Sequence, residues 1–341
     1  MKKNLIAILI AFASINLFAE SQNTAKENFN AADNKKISLS VEPLFGIRIG
    51  NFGEQVYAKH SSTGEVYKIS ELIYNFSPAL YSGFETDLRI VNFHFSAGCK
   101  FFIPMQIGIM SDSDWCQDAG YNTGNTGIKT NLSEHENHLR NGFNLDLTVK
   151  YDFHPLSWLT ISPNISFLLE KFTLSELNGT CWYGNPRSSS SYSYYSYDDI
   201  YNRTVSNCTG EIVQLRRTDY YVWAGVDGLF SFNKSRLDIF CGLYIAPYIY
   251  TYGEDDHYKR PRYFIDVTAS LFYAGKIKTY IKYNFSKSAA IKLSGTFLFT
   301  GNMKGNELSS STPNGKFVNS GGVIGASSMY TDIQLSGIFV F

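Results

Sequence analysis

The chain has 341 residues with 30 basic and 30 acidic side chains, so nothing in its charge argues for nucleic acid. Aromatic residues reach 16% and charged residues only 18%, a balance suited to a surface that meets an apolar medium. Five cysteines cannot all pair within the chain, and no Cys/His spacing matches a zinc site.

Met1 to Ala19 has the form of a secretory signal peptide, with Lys2 and Lys3 at its start, an apolar core from Leu5 to Phe18 and a small residue at the cut. That core is shorter than the roughly 20 residues a spanning helix needs, and no other run comes close. The chain is therefore expected to be exported without a membrane helix. Residues 20–36 are polar and aperiodic and read as a flexible mature N-terminus.

From Ile37 onward the period is two. Phe143, Leu145, Leu147, Val149, Tyr151 and Phe153 alternate with Asn144, Asp146, Thr148, Lys150 and Asp152, so one strand face is greasy and the other ionic. Similar runs cover Val91 to Phe101, Leu237 to Ile249, Ile291 to Thr300 and Met329 to Phe341. Between Ile265 and Phe285 the alternation predicts one strand of about 20 residues, far beyond the five or six usual in soluble sandwiches. Such a strand crosses a bilayer at a tilt and projects past it.

Short turns near Thr86 to Ile90, His154 to Trp158, Asn233 to Arg236 and Ser286 to Ala289 alternate with five long loops. The loops are expected over Ala58 to Tyr67, Ser111 to Asn137, Leu177 to Glu211, Gly253 to Arg262 and Lys304 to Ala326. Four short turns and five long loops give ten strands. The expected fold is all-β: residues 37–341 form a single ten-stranded antiparallel transmembrane β-barrel with long extracellular loops, polar inside and apolar outside. A secreted two-sheet β protein is the alternative, opposed by the strand length and the polar inner faces. Asp146, Lys150, Asp266, Lys282 and Asp332 are expected to pair inside.

Two acidic motifs fall at the long-loop rim. Asp112 and Asp114 lie in MSDSDW, and Asp255 and His257 lie in GEDDHY, each pair at i, i+2 and so on one face of an extended chain. A carboxylate beside an imidazole fixes its tautomer and supports proton uptake, which a general base needs. Either pair alone is more often an ordinary polar turn. Cys181 and Cys208 share one polar stretch and can bridge in an oxidising compartment, whereas Cys99 and Cys241 read as packing residues. Cys116 has no nearby histidine, and SSSSYSYYSY at Ser188 to Tyr197 reads as an exposed loop, adhesive or inert.

With EQVY at Glu54 to Tyr57, MSDSDW, SEH at Ser133 to His135 and EDDHY in this order on a ten-stranded barrel, the chain resembles the omptin family of outer-membrane proteases. The resemblance implies a metal-independent endopeptidase with Asp112, Asp114, Asp255 and His257 catalytic and water held between Asp112 and His257. Glu54 then binds a basic substrate side chain. A second acid of the family falls on Gly253, and Glu254 is its neighbour and the candidate substitute. Ser133 and His135 line the site at best.

The expected function is thus an omptin-like endopeptidase in the outer membrane of a Gram-negative-type bacterium, with its site facing the exterior and peptides or proteins as substrates. No cofactor and no nucleic-acid partner are expected. Lipopolysaccharide is the activator the resemblance implies; Lys171 and Arg216 or Arg217 stand at two of its candidate places, without defining a lipid site. The competing reading is a non-enzymatic barrel, an adhesin or narrow pore.

Overall fold

The computed structural model describes residues 37–59, 64, 66–115, 128–187, 194–232, 236–313 and 315–341. The signal peptide and mature N-terminus expected over residues 1–36 lie outside the described residues, as do Cys116 and most of the Ser/Tyr-rich segment.

Thirteen strands follow in order: β1 (Ile37–Lys59), β2 (Val66–Ile90), β3 (Phe93–Phe102), β4 (Met105–Asp114), β5 (Asn131–Tyr151), β6 (Phe153–Leu156), β7 (Leu159–Gly184), β8 (Arg203–Phe232), β9 (Leu237–His257), β10 (Arg262–Ser270), β11 (Ala274–Asn284), β12 (Ala289–Ser310) and β13 (Val318–Val340). All pairings are antiparallel, and β1 pairs with both β2 and β13. β3 with β4, and β10 with β11, are lower and upper halves of single staves, and β6 is a short appendage of β7, which leaves a ring of ten strands.

The outward face is apolar. On β9, Ile239, Leu243, Ile245 and Tyr248 are exposed while Asp238, Phe240, Ala246 and Ile249 are buried inside. Near the short turns the outer face carries aromatic clusters, with Phe93 and Phe153 each packing on Tyr151 at 4.8 and 4.9 Å between ring centroids. Such a girdle marks one bilayer edge. Crossing takes about 10 residues of a tilted strand. β7 and β8 have 26 and 30, so both continue well past the membrane on the side opposite the short turns.

That excess corrects the expected loops. Much of what reads as long loop is strand: β4 runs to Asp114, β7 to Gly184, β9 to His257 and β12 to Ser310. Only Tyr258 to Pro261 separate β9 from β10. The run from Ile265 to Phe285 is also not one strand, because Leu271 to Tyr273 leave the ladder between β10 and β11, with Phe272 at φ 57° and its side chain outward. Leu271 and Tyr273 keep the odd-numbered apolar phase through that break, so the pattern conceals it, although Phe272 and Ala274 make the run locally continuous.

Inside the membrane-level barrel, charges pair. Arg48 donates to Asp332 at 2.7 and 3.0 Å and to Glu170 at 2.9 Å. Lys100 reaches Asp332 at 2.7 Å, and Lys282 reaches Asp238 at 2.8 Å. Asp266, expected to pair, lies higher, and neither of its carboxylate oxygens has a partner among the described residues. The Arg48 guanidinium lies 3.6 Å from the centroid of Tyr330 and also faces Phe102 and Phe172. Phe52 packs edge-on against Phe76 and Phe172. These side chains form a septum across the barrel. Below it lies a polar chamber of about 560 Å³ that reaches down to Ser38, His154 and Val340 at the short-turn end.

Cys181 and Cys208 form a disulfide between β7 and β8. Cys241 is exposed on the outer wall instead of packing, in line with its apolar neighbours on β9.

Candidate active site

Two β-bulges aim the acidic motifs inward. Along the lower part of β9 the even residues face inside, a phase that would send Asp255 and His257 outward. Opposite Trp223, however, the register slips between the pairs Val222–Tyr248 and Ala224–Ile245. The extra residue on β9 inverts the phase, and Ile249, Thr251, Asp255 and His257 turn inward. On β4 the register slips between Gln106 and Gly108, after which Met110, Asp112 and Asp114 share the inner face. Gly108 sits at φ 145°, where a side chain is strained, and an added Cβ would lie 3.0 Å from the Asn75 carbonyl oxygen.

Above the bulges the strands bring these residues together. One lateral row joins Glu54, Leu72, Asp112, Ser133 and Cys181 across β1, β2, β4, β5 and β7. Another joins Glu176, Val213, His257 and Arg262 across β7, β8, β9 and β10. Between the rows lies a cleft of about 240 Å³ lined by Asp112, Asp114, His257 and Arg260, with Ser133 and His135 at one side. His257 is nine residues past Tyr248, the last strongly exposed aromatic of its strand, so the cleft stands outside the membrane-spanning segments.

Within the cleft, His257 Nε2 is 2.7 Å from Asp255 Oδ2, and Phe264 packs edge-on against the imidazole at 5.3 Å. Burial lowers the His257 pKa, but the neighbouring Asp255 carboxylate outweighs it and the net shift is upward. Asp112 accepts a hydrogen bond from Ser70 Oγ at 3.4 Å. Burial, then the like charge of Asp114, pushes Asp112 up to about 7, against the pull of His257 and Arg260. An Asp112 carboxyl that holds its proton near neutrality faces an imidazole poised to take one.

Ser133 and His135 reach the cleft on β5, but His135 donates through Nδ1–H to the Asn178 carbonyl oxygen at 2.9 Å, and burial holds its pKa down. Among the described residues no group of three or more His, Cys, Asp or Glu side chains is arranged to hold a metal.

The two expected substrate-binding acids separate. Glu54 is buried beside the site, its pKa raised by burial and then by Asp266, Asp255 and Glu307. Glu254 lies on the outer face, where it accepts from Arg216 Nε at 2.6 Å, and is not brought to the cleft. Arg217 is inside, donating to both oxygens of Asp219 at 3.1 and 3.0 Å, so only Arg216 of the two faces outward.

Further acids are legible only in three dimensions. Asp266 pairs laterally with Gly253 and Glu307. Glu176 is fully buried with both carboxylate oxygens unpartnered among the described residues, and burial plus Asp255 raises it to about 9. Their strand neighbours give no local signal, since convergence depends on register between distant staves.

Residues 34–336 match the Omptin family. The crystal structure of outer membrane protease OmpT from Escherichia coli is similar with a TM-score of 0.73 at 17% identity, over 93% of this chain and 100% of that one. The translocator domain of autotransporter NalP from Neisseria meningitidis matches only loosely, at TM-score 0.34 and 8% identity over 98% of this chain and 97% of that one. No curated protein matches the sequence.

Proposed function

The chain belongs to the Omptin family and is a β-barrel of the Gram-negative outer membrane; from that premise we propose that it is a cell-surface endopeptidase using Asp112, Asp114, Asp255 and His257. The observation that carries this reading is one cleft beyond the membrane that holds Asp112 opposite His257, with Asp255 2.7 Å from the imidazole. The relative OmpT is named as an outer membrane protease, which supports the same reaction class.

In the proposed reaction, water sits between Asp112 and His257. His257 takes a proton as the water oxygen attacks the scissile carbonyl carbon, and the carbonyl π pair moves onto oxygen. Asp255 stabilises the imidazolium that forms. Collapse of the tetrahedral species breaks the C–N bond, and the departing amine takes the proton from His257. Asp114 helps to keep one proton on the carboxyl pair, which lets Asp112 hold the water without a second full negative charge in the cleft.

A preference for basic side chains rests on Glu54, buried beside the cleft among Asp255, Asp266 and Glu307. Glu254 is not used, because its carboxylate is engaged with Arg216 outside. Lipopolysaccharide as activator is retained as part of the proposal. The pore reading loses support from the septum around Arg48, which separates the chamber from the cleft.

The test uses refolded full-length barrel with lipopolysaccharide and fluorogenic peptides that carry Arg, Lys or a neutral residue at the scissile bond. Cleavage of the basic peptides that survives chelator and serine-directed reagents is expected. A folded barrel that cleaves none of them contradicts the proposal.

A further inference from the structure

The turn between β9 and β10 sets cations in the wall of the cleft. Tyr258 to Pro261 make this turn directly after His257, and both Lys259 and Arg260 line the cleft. The two cations differ in where they act. Lys259 Nζ lies 3.6 Å from the space above Gly210, toward β8. The charge of Arg260, by contrast, is felt by Asp112 on β4, by Tyr183 on β7 and by His257 itself. Arg260 lines the same cleft as Asp112, Asp114 and His257, and it forms no ion pair with a described residue that would hold it elsewhere.

The proposed chemistry needs a group of this kind. Attack by water converts the scissile carbonyl oxygen into an oxyanion, and the carboxyl groups of Asp112, Asp114 and Asp255 surround that place. The proton kept on Asp112 is directed at the water, a carboxylate cannot donate to an oxyanion, and the imidazole is occupied with the water proton. A guanidinium presents several N–H donors in a planar fork and keeps its charge at any working pH. Donors aimed at charge that develops in the transition state are among the largest contributors to catalysis.

We infer that Arg260 is a catalytic residue that donates to the oxyanion of the tetrahedral intermediate in the cleft between Asp112 and His257. The inference rests on the endopeptidase reading above and adds a residue to it. The turn's position outside the strand ladder lets the side chain close over a bound peptide after it enters. A donor that meets the oxygen only once it is charged lowers the barrier without tightening substrate binding.

The experiment compares wild type, Arg260→Ala, Arg260→Lys, Lys259→Ala and His257→Ala as refolded full-length barrels on one cleavable peptide. Arg260→Ala is expected to lower kcat by roughly 10- to 100-fold, below the larger losses seen for enclosed donors because the turn is exposed, with KM little changed. Arg260→Lys restores part of the rate, added guanidinium ion restores part of the rate of Arg260→Ala, and Lys259→Ala stays near wild type. A phosphinate analogue of the same peptide, an anionic tetrahedral mimic, loses affinity for Arg260→Ala in proportion to kcat. Unchanged kcat in Arg260→Ala, or a change confined to KM with peptides that carry acidic flanking residues, overturns the inference and assigns Arg260 to substrate selection. Undiminished cleavage by His257→Ala overturns the endopeptidase site itself, so the two failures are distinguishable.

Discussion

Replacing Asp255 by Asn probes the imidazole directly. Asp255 Oδ2 lies 2.7 Å from His257 Nε2, and the pair stands in a largely buried setting, with the side chains 2% and 14% exposed. Two unit charges about 4 Å apart near a protein surface interact by roughly 4 kcal/mol. That attraction supports the imidazolium in the wild type and is lost with the charge of Asp255. Asp112 also raises the His257 pKa and remains in the variant, so the pKa is expected to fall without losing all of its support. The sign follows from the role of base. His257 must be neutral to act, wild-type activity is lost as pH falls through its raised pKa, and in Asp255→Asn that acid limb moves to lower pH. The plateau falls as well, by roughly 10²- to 10⁴-fold, because an amide neither fixes the required tautomer nor stabilises the imidazolium. The assay is kcat/KM against pH for one peptide, wild type and variant side by side. An acid limb that stays in place or moves upward refutes the reasoning.

Three further outcomes follow from the same structure. Glu176, raised to about 9 from 4.5, keeps its proton when folded and loses it when unfolded, so its contribution to stability falls as pH rises between those values. Glu176→Gln should therefore stabilise the barrel at neutral pH by up to about 3 kcal/mol, with little gain in acid, read from urea midpoints at two pH values. Arg48→Ala leaves Glu170 and Asp332 without the guanidinium that bridges them and should cost about 3 to 5 kcal/mol, seen as a lower thermal midpoint of the folded band on unheated gels. In planar bilayers the wild type should show no sustained conductance, because Arg48, Tyr330, Phe52 and Phe172 close the barrel; steady open-channel current would favour the pore reading.

The barrel was legible in the chain because lipid demands apolar residues on one face and the interior tolerates ions on the other. Alternation such as Phe143 to Phe153 therefore survives as a plain signal. Above the bilayer that demand lapses. Stretches such as SDSD, SEHEN and LNGTCWYG are strands with water or protein on both faces, so they read as loop although β4, β5 and β7 run through them. The bulges near Trp223 and Gly108 were also hidden, and they decide which side chains enter the cleft. The identity of Asp112, Asp114, Asp255 and His257 as candidates came from their i, i+2 spacing. That same spacing argues against Glu254, since a residue adjacent to Asp255 in a strand faces the opposite side. Glu176, Asp266, Glu307 and Arg260 carry no motif, and only register and the tight turn after His257 bring them to the site.

The central claim is that water activated between Asp112 and His257, and not a serine, attacks the peptide. It is tested most directly by kcat/KM of Asp112→Ala, His257→Ala and Ser133→Ala on one cleavable peptide, each barrel first shown to be folded. The account predicts losses of roughly 10²-fold or more for the first two and a change of less than about 10-fold for Ser133→Ala, which lines the cleft without reacting. Loss of activity in Ser133→Ala comparable to that in His257→Ala would contradict it.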